Sequence, residues 1–374
     1  MISVILPTYN EAQNIRRIIP AITKVFQDHS MEGEVIVVDD DSPDGTASAA
    51  LSLADSYPVK VHVRKKDRGL SRAVIDGFGL SQGEICVVMD ADLSHPVEKI
   101  PDMVRPILEG KCDATVGSRY VAGGGAQNWP LLRRIVSKGA GLLAKGVTTL
   151  SDPTSGFMAV RRGVLEGASL DPLGWKIVLE VVVKTGSRVM DIPIVFADRV
   201  EGQSKLGLKA QFDYLRHLGR LYAHRYPLFL EFFKFCLVGL TGLVVDTAVL
   251  VSLVDHVSLD PRLAAVFAFA AAVSWNYLFN RIWAFRSGRS TPIPRSYVSF
   301  VSVCVGGLGV RIGVMHLLIA YAGMGVRPWY VLASFIGIAA ATVFNFLGSK
   351  YVAFRTKTKK GNRLEAGYRH THLQ

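Results

Sequence analysis

The chain has 374 residues, long enough for two domains of ordinary size. Lysine and arginine outnumber aspartate and glutamate by 43 to 31, and the resulting +12 suits anionic lipid, a phosphorylated substrate or nucleic acid. No recognition helix, zinc-finger spacing or RNA-stacking signature accompanies that charge, which sets nucleic acid aside, and Cys86, Cys112, Cys236 and Cys304 are too scattered for a disulfide framework or a zinc site.

From Met1 to Pro7 there is no basic n-region, so the segment reads as a buried strand and not as a secretory signal. Residues 2–6 are a β-branched run closed by Pro7. Residues 11–26 follow with helical spacing that puts Ile15, Ile18, Ile19, Ile22 and Val25 on one face. Further strands are read at 34–38, 59–63, 85–89 and 114–117. Repeated β–α–β order predicts a parallel sheet with ligands at the carboxyl ends of its strands.

Acidic and polar residues gather at those ends: Thr8-Tyr9-Asn10-Glu11, Asp39-Asp40-Asp41 and Asp90-Ala91-Asp92. Carboxylates crowded on one edge repel each other unless a cation lies among them. Mg2+ or Mn2+ carrying a diphosphate would meet that need, because these hard cations prefer carboxylate and phosphate oxygens. The competing reading is a set of solvated acidic turns. No GxGxxG follows the first strand and no GxxxxGK(S/T) occurs, which disfavours a dinucleotide oxidoreductase and a P-loop phosphotransferase. Gly123-Gly124-Gly125 is either an ordinary flexible turn or a mobile active-site loop.

Six separated motifs carry a resemblance: Pro7-Thr8-Tyr9-Asn10-Glu11, the run from Val37 to Thr46, the run from Met89 to Pro96, Gly117-Ser118-Arg119-Tyr120, Asp152-Pro153-Thr154-Ser155-Gly156-Phe157, and Arg199 with Gly202-Gln203-Ser204-Lys205-Leu206. Together they resemble family 2 glycosyltransferases of the GT-A fold, and within that group the dolichyl-phosphate mannose synthases. The resemblance implies that Pro7, Tyr9, Glu11, Val38 and Asp40 hold the nucleoside. Asp90, Ala91 and Asp92 would face the donor diphosphate. Asp90, Asp92 and Ser94 would bind Mg2+ or Mn2+, with Asp92 the principal ligand and Ser94 where some relatives carry glutamine. Arg119, Arg133 and Ser137 would bind the acceptor phosphate, and Arg199 and Lys205 would close over the diphosphates. Asp92 and Arg119 are thus the expected catalytic residues. The absence of QxxRW favours a single transfer over polymerisation.

Residues 206–226 read as a basic amphipathic helix with Leu208, Phe212, Leu215, Leu218 and Tyr222 on one stripe. Residues 129–145 are a second, with Leu131, Leu132, Ile135, Leu142 and Leu143 beside Arg133, Arg134, Lys138 and Lys145. Either both lie on a membrane surface, or each packs on the sheet.

Beyond residue 228 four apolar spans follow, at 235–254, 263–280, 297–321 and 329–347, each near the roughly 20 residues a bilayer needs. Arg281, Arg286, Arg289 and Arg295 in the middle loop, and the basic tail at 357–374, predict that the N-terminal domain and both termini face the cytoplasm. The spans repeat: Phe235, Gly242 and Asp246 match Phe300, Gly307 and Arg311 at an offset of 65, and Asn276 and Arg281 match Asn345 and Lys350 at an offset of 69. This segment, 229–356, resembles GtrA-like membrane domains. Asp246 and Arg311 fall at equal depth and either pair or meet water separately.

The expected architecture is therefore an α/β GT-A nucleotide-sugar-binding domain at 1–228 followed by an all-α four-span transmembrane domain. The resemblance implies a multi-pass cell-membrane enzyme that takes mannose from GDP-mannose, with inversion, to dolichyl or another polyprenyl phosphate. Two alternatives stand beside it: a UDP-glucose-dependent transferase, and a carrier or flippase for a lipid-linked sugar.

Overall fold

The computed structural model describes residues 1–127, 129–174, 176–197, 208–285, 291–326 and 328–355, and the chain divides into two compact units at Tyr226 and Pro227.

In the first unit β1 (Ile2–Thr8), α1 (Ala12–Asp28), β2 (Gly33–Asp39), α2 (Thr46–Leu51), β3 (Val59–Val63), α3 (Leu70–Leu80) and β4 (Ile85–Val88) alternate as the periodicity predicts. Then come α4 (Ile100–Leu108), β5 (Ala114–Ser118), β6 (Gly125–Ala126), α5 (Leu131–Ala144), β7 (Met158–Arg161), α6 (Arg162–Leu165), α7 (Ile177–Thr185), β8 (Val189–Pro193), β9 (Val195–Phe196) and α8 (Leu208–Arg225). Seven strands form one sheet in the order β3-β2-β1-β4-β7-β5-β8, and β6 pairs separately with β9.

The all-parallel expectation needs correction, because β7 runs antiparallel to both β4 and β5. After β5 the chain wanders through β6 and α5 without crossing the sheet. It re-enters at the edge it left, and a strand entering there must run backwards. That reversal brings the loop from Asp152 to Gly156 to the edge where β1, β2 and β4 end.

Helices cover both sheet faces. Strand alternation sends Val4, Leu6, Val35 and Val37 towards α1 and α4, and Ile5, Ile36 and Val38 towards α3 and α7. The predicted α1 stripe is buried in the first of these clusters. The predicted α8 stripe is split. Of its residues, Leu218 and Tyr222 pack on the cluster of Ala144, Leu179 and Val183, which Tyr214 and Leu221 also join, whereas Phe212 and Leu215 stay exposed. On α5, Leu131, Ile135, Leu142 and Leu143 are exposed too.

The second unit holds α9 (Pro227–Asp255), α10 (Pro261–Phe279), α11 (Ile293–Ala322) and α12 (Trp329–Gly348), with α10 and α12 each running on through a wide helical turn. Among the described residues, four helices are long and apolar enough to cross a membrane. They exceed the predicted spans because the flanking polar turns continue the helices.

The sequence repeat is also a packing repeat. Phe235 contacts Phe346 at 5.7 Å as Phe300 contacts Tyr277 at 5.8 Å, and Phe285 stacks on its equivalent Phe354 at 5.3 Å. Lys350 reaches Glu231 at 2.5 Å, and Arg281 reaches the equivalent Ser296 at 2.8 Å. Asp246 and Arg311 do not pair: Arg311 donates to Ser334 Oγ at 3.3 Å, and no ion pair joins it to Asp246 among the described residues. Helix α9 packs chiefly on α10 and α11 on α12, so equal depth does not bring the two charges together.

Asn276 nests on Gly242 and Asn345 on Gly307. A Cβ at Gly242 would lie 2.2 Å from Asn276 Oδ1, and one at Gly307 would lie 2.0 Å from Asn345 Oδ1. Gly307→Ala should therefore destabilise the detergent-solubilised protein by about 1–3 kcal/mol, the usual cost of overpacking. Adding Asn345→Ala should recover part of the loss in a thermal melt; full additivity of the two changes would contradict this packing.

Candidate active site

The site lies where β1, β2 and β4 end and β7 begins. Three backbone positions along this edge, Asn10, Asp41 and Leu93, adopt positive φ of 60°, 55° and 61°. Asn and Asp tolerate that conformation, but Leu93 must be held there by its surroundings.

The three aspartates after β2 do not converge on one ligand. Asp39 is fully buried and accepts hydrogen bonds from Thr8 Oγ1 (2.9 Å), Ser42 Oγ (2.6 Å) and Ser42 N (2.8 Å), tying the β1 and β2 loops together. Asp40 accepts from Arg64 Nη1 (2.5 Å) and Gly69 N (2.7 Å), and Asp41 pairs with Arg68 at 2.5 Å. The protein itself thus supplies the countercharge that the sequence reading assigned to a metal. Asp44 completes the turn by accepting from Ala12 N and from Thr46. Burial pushes its carboxyl up, but these hydrogen bonds outweigh burial and hold it below the usual range. Thr46 Oγ1 in turn accepts from Glu11 N at 2.9 Å. Of the expected nucleoside residues, Glu11 and Asp40 belong to this hydrogen-bonded rim and Tyr9 is exposed beside it, whereas Pro7 is buried in β1 and the Val38 side chain is in the core.

At the end of β4 the pattern differs. The Asp90 carboxylate accepts no hydrogen bond from the described residues, and His95 Nε2 lies 4.0 Å from its Oδ2. His95 Nδ1 accepts from Asp90 N at 3.0 Å, and its ring stacks on Phe157. Gly156 leaves the space beside Asp90 clear: a Cβ there would approach Asp90 Oδ2 to 3.5 Å. Asp92 is nearly buried and is aimed by Ser94, whose N and Oγ both donate to Asp92 Oδ1 at 3.1 and 2.5 Å. Ser94, expected as a cation ligand, thus commits its hydroxyl proton to Asp92.

Among the described residues no three acidic, histidine or cysteine side chains gather as a metal cage. A divalent cation fits here as one held by Asp90 and Asp92 with the remaining oxygens coming from a bound diphosphate, since two hard carboxylates leave most of its positions open.

A second cluster is built on the loop before β7. Arg119 grips the fully buried Asp152 through Nε (2.6 Å) and Nη2 (2.7 Å) and also donates to Thr154 Oγ1 at 2.8 Å. Burial pushes the Asp152 carboxyl up, but the hydrogen bonds and charge of Arg119 win and hold it below the usual range. Ser137 Oγ lies 3.1 Å from Thr154 Oγ1. Arg133 and Arg119 both lie over the Trp129 ring, at 4.1 and 4.6 Å. The three residues expected at the acceptor phosphate, Arg119, Arg133 and Ser137, are therefore neighbours.

Two cations here escaped the sequence reading. Arg64 is buried and bridges Asp40 and Asp76. Lys176 donates to Thr154 O at 3.0 Å. Its side chain is half-buried. Burial, with the Arg119 charge beside it, pushes that ammonium down to about 8 against the pull of Asp152 and Asp90. Its sequence signal is slight: a lone lysine before the apolar run Ile177-Val178-Leu179. Arg199 and Lys205 lie outside the described residues, as do Arg286, Arg289 and the tail.

A hydrogen-bonded rim beside an open aspartate and an arginine-rich cluster, joined in one chain to four helices apolar enough to cross a membrane, suits a membrane-bound enzyme that handles phosphorylated substrates. Residues 3–167 match the glycosyl transferase family 2 model and residues 234–354 match the GtrA/DPMS transmembrane domain model. The chain is 37% identical over 360 residues to a dolichol-phosphate mannosyltransferase of Pyrococcus furiosus, covering 95% of this chain and 99% of that relative. It is 37% identical over 235 residues to the dolichol-phosphate mannosyltransferase of Mycosarcoma maydis, covering 60% of this chain and 80% of that one. A crystal structure of glucosyl-3-phosphoglycerate synthase from Mycobacterium tuberculosis is similar with a TM-score of 0.45 and 22% identity, over 60% of this chain and 79% of that one. The chain belongs to the dolichol-phosphate mannosyltransferase family.

Proposed function

We propose that the enzyme transfers one mannosyl residue from GDP-mannose to dolichyl phosphate or a related polyprenyl phosphate, with inversion at the anomeric carbon. The observation that carries this reading is the end-to-end similarity to the Pyrococcus furiosus relative, spanning both the catalytic and the membrane unit. An acceptor oxygen attacks the anomeric carbon, the bond from that carbon to the diphosphate oxygen breaks, and the electron pair leaves on the nucleoside diphosphate. The acceptor is a phosphate monoester, already anionic at neutral pH, so no side chain has to remove a proton.

The work of the protein is to hold two polyanions together. Pro7, Tyr9, Glu11, Val38 and Asp40 would hold the nucleoside and Ala91 would face the diphosphate, the group to which the resemblance also assigns Arg199 and Lys205. Asp90 and Asp92 would hold Mg2+ or Mn2+, which when bound neutralises charge on the departing diphosphate. Arg119, Arg133 and Ser137 gather at the acceptor phosphate, where arginine offers forked donors. Exposed Leu131, Ile135, Phe212 and Leu215, interleaved with basic residues, suit contact with the lipid surface where a polyprenyl phosphate is met. The arginine-rich middle loop and basic tail put the catalytic unit and both termini on the cytoplasmic side.

The test is direct. Solubilised protein with a polyprenyl phosphate and Mn2+ should yield a mannolipid by mass spectrometry from GDP-mannose. Product from UDP-glucose alone would replace the sugar, and no product from any donor would overturn the reading.

A further inference from the structure

Three groups converge on Thr154: Arg119 Nη2 on its hydroxyl at 2.8 Å, Ser137 Oγ at 3.1 Å, and Lys176 Nζ on its carbonyl at 3.0 Å. Their charges are not equivalent. The Arg119 guanidinium is neutralised by a two-point grip on Asp152, a carboxylate with no exposed surface. Lys176 forms no ion pair among the described residues. The cluster thus contains a half-buried lysine whose ammonium pairs with no carboxylate among the described residues, with one of its three donors used on a backbone carbonyl. A desolvated, uncancelled ammonium is unfavourable by itself and favourable beside an incoming anion.

We propose that Lys176 is a further binding residue for the phosphate of the lipid acceptor, adding a positive charge that no carboxylate among the described residues pairs with to those of Arg133 and the Asp152-clamped Arg119. This rests on the proposed transfer to a polyprenyl phosphate and deepens it. Asp90 marks the diphosphate side, and no hydrogen bond or ion pair joins it to Lys176 among the described residues. The Thr154 contact and the Ser137 hydroxyl place Lys176 on the acceptor side.

The test compares full-length wild type with K176M and K176R, using a water-soluble short-chain polyprenyl phosphate as acceptor. K176M should raise the acceptor KM by about 10- to 100-fold, the range for losing a charged hydrogen bond, and leave the GDP dissociation constant within about twofold. K176R, which keeps the charge on a different shape, should recover part of the acceptor KM. If K176M does not fold, K176Q replaces it with the same expectation, because its amide still donates to the Thr154 carbonyl. An unchanged acceptor KM, or a parallel loss of GDP affinity, would overturn the assignment. Wild type that transfers to no polyprenyl phosphate would instead overturn the functional reading beneath it.

Discussion

Asp92→Ala is expected to lower kcat at least about a hundredfold while the protein keeps its fold. One preorganised electrostatic contact at a leaving group is commonly worth that much or more. Asp92 is nearly buried and its carboxylate is held by two donors from Ser94. A side chain pinned in that way costs little reorganisation when charge develops nearby. Ser94→Ala should give a smaller loss, since it frees the carboxylate without removing it. Asp41→Ala is the matched control: that acid sits on the surface, paired with Arg68, and should change the rate little. Initial rates over a Mn2+ titration separate the cases. If Asp92→Ala turned over normally at every metal concentration, Asp92 would have no role at the departing diphosphate.

The contrast among the aspartates shows what a sequence can reveal. The α1 stripe and the strand runs were legible because they depend on spacing along one element, and burial follows that spacing. The aspartates were not, because an aspartate is defined by partners far away in the chain. Asp39 looks like Asp40 and Asp41 in the sequence, yet Thr8 and Ser42 make it a fastener between loops. Arg64 and Lys176 were missed for the same reason: a single cation beside an apolar run carries no local mark of burial. The antiparallel β7 was also hidden, since its direction depends on which edge the chain returns to after α5. The membrane repeat was the opposite case. The two copies of one pattern were read from their spacing, and the structure repeats them in its packing, with Gly242 against Asn276 and Gly307 against Asn345. For Asp246 and Arg311 equal depth left pairing open, and the structure decides against it, since α9 packs chiefly on α10 and α11 on α12.

Asp152→Asn should cost about 3–5 kcal/mol of stability, the range for removing one partner of a buried ion pair. Asp152 has no exposed surface, and Arg119 is enclosed by the rings of Tyr120, Trp129 and Phe196. Without the carboxylate, a guanidinium remains in an aromatic cage with no countercharge, since asparagine keeps the shape and loses the charge. Thermal or denaturant unfolding should show the loss directly. A second substitution, Arg119→Met, should recover part of it, because removing both charges leaves neither one stranded. The pH dependence gives an independent check. The folded-state carboxyl of Asp152 is held below its usual value. Its stabilisation is therefore complete above the unfolded-state value of about 3.9 and is lost as pH falls from there through the lower folded-state value. Asp152→Asn should flatten the wild-type decline in that acid window and shift stability at neutral pH. If the variant were as stable as wild type at neutral pH, Arg119 would not depend on Asp152. The guanidinium would then bring its full charge to the acceptor phosphate, and the share assigned to Lys176 would shrink.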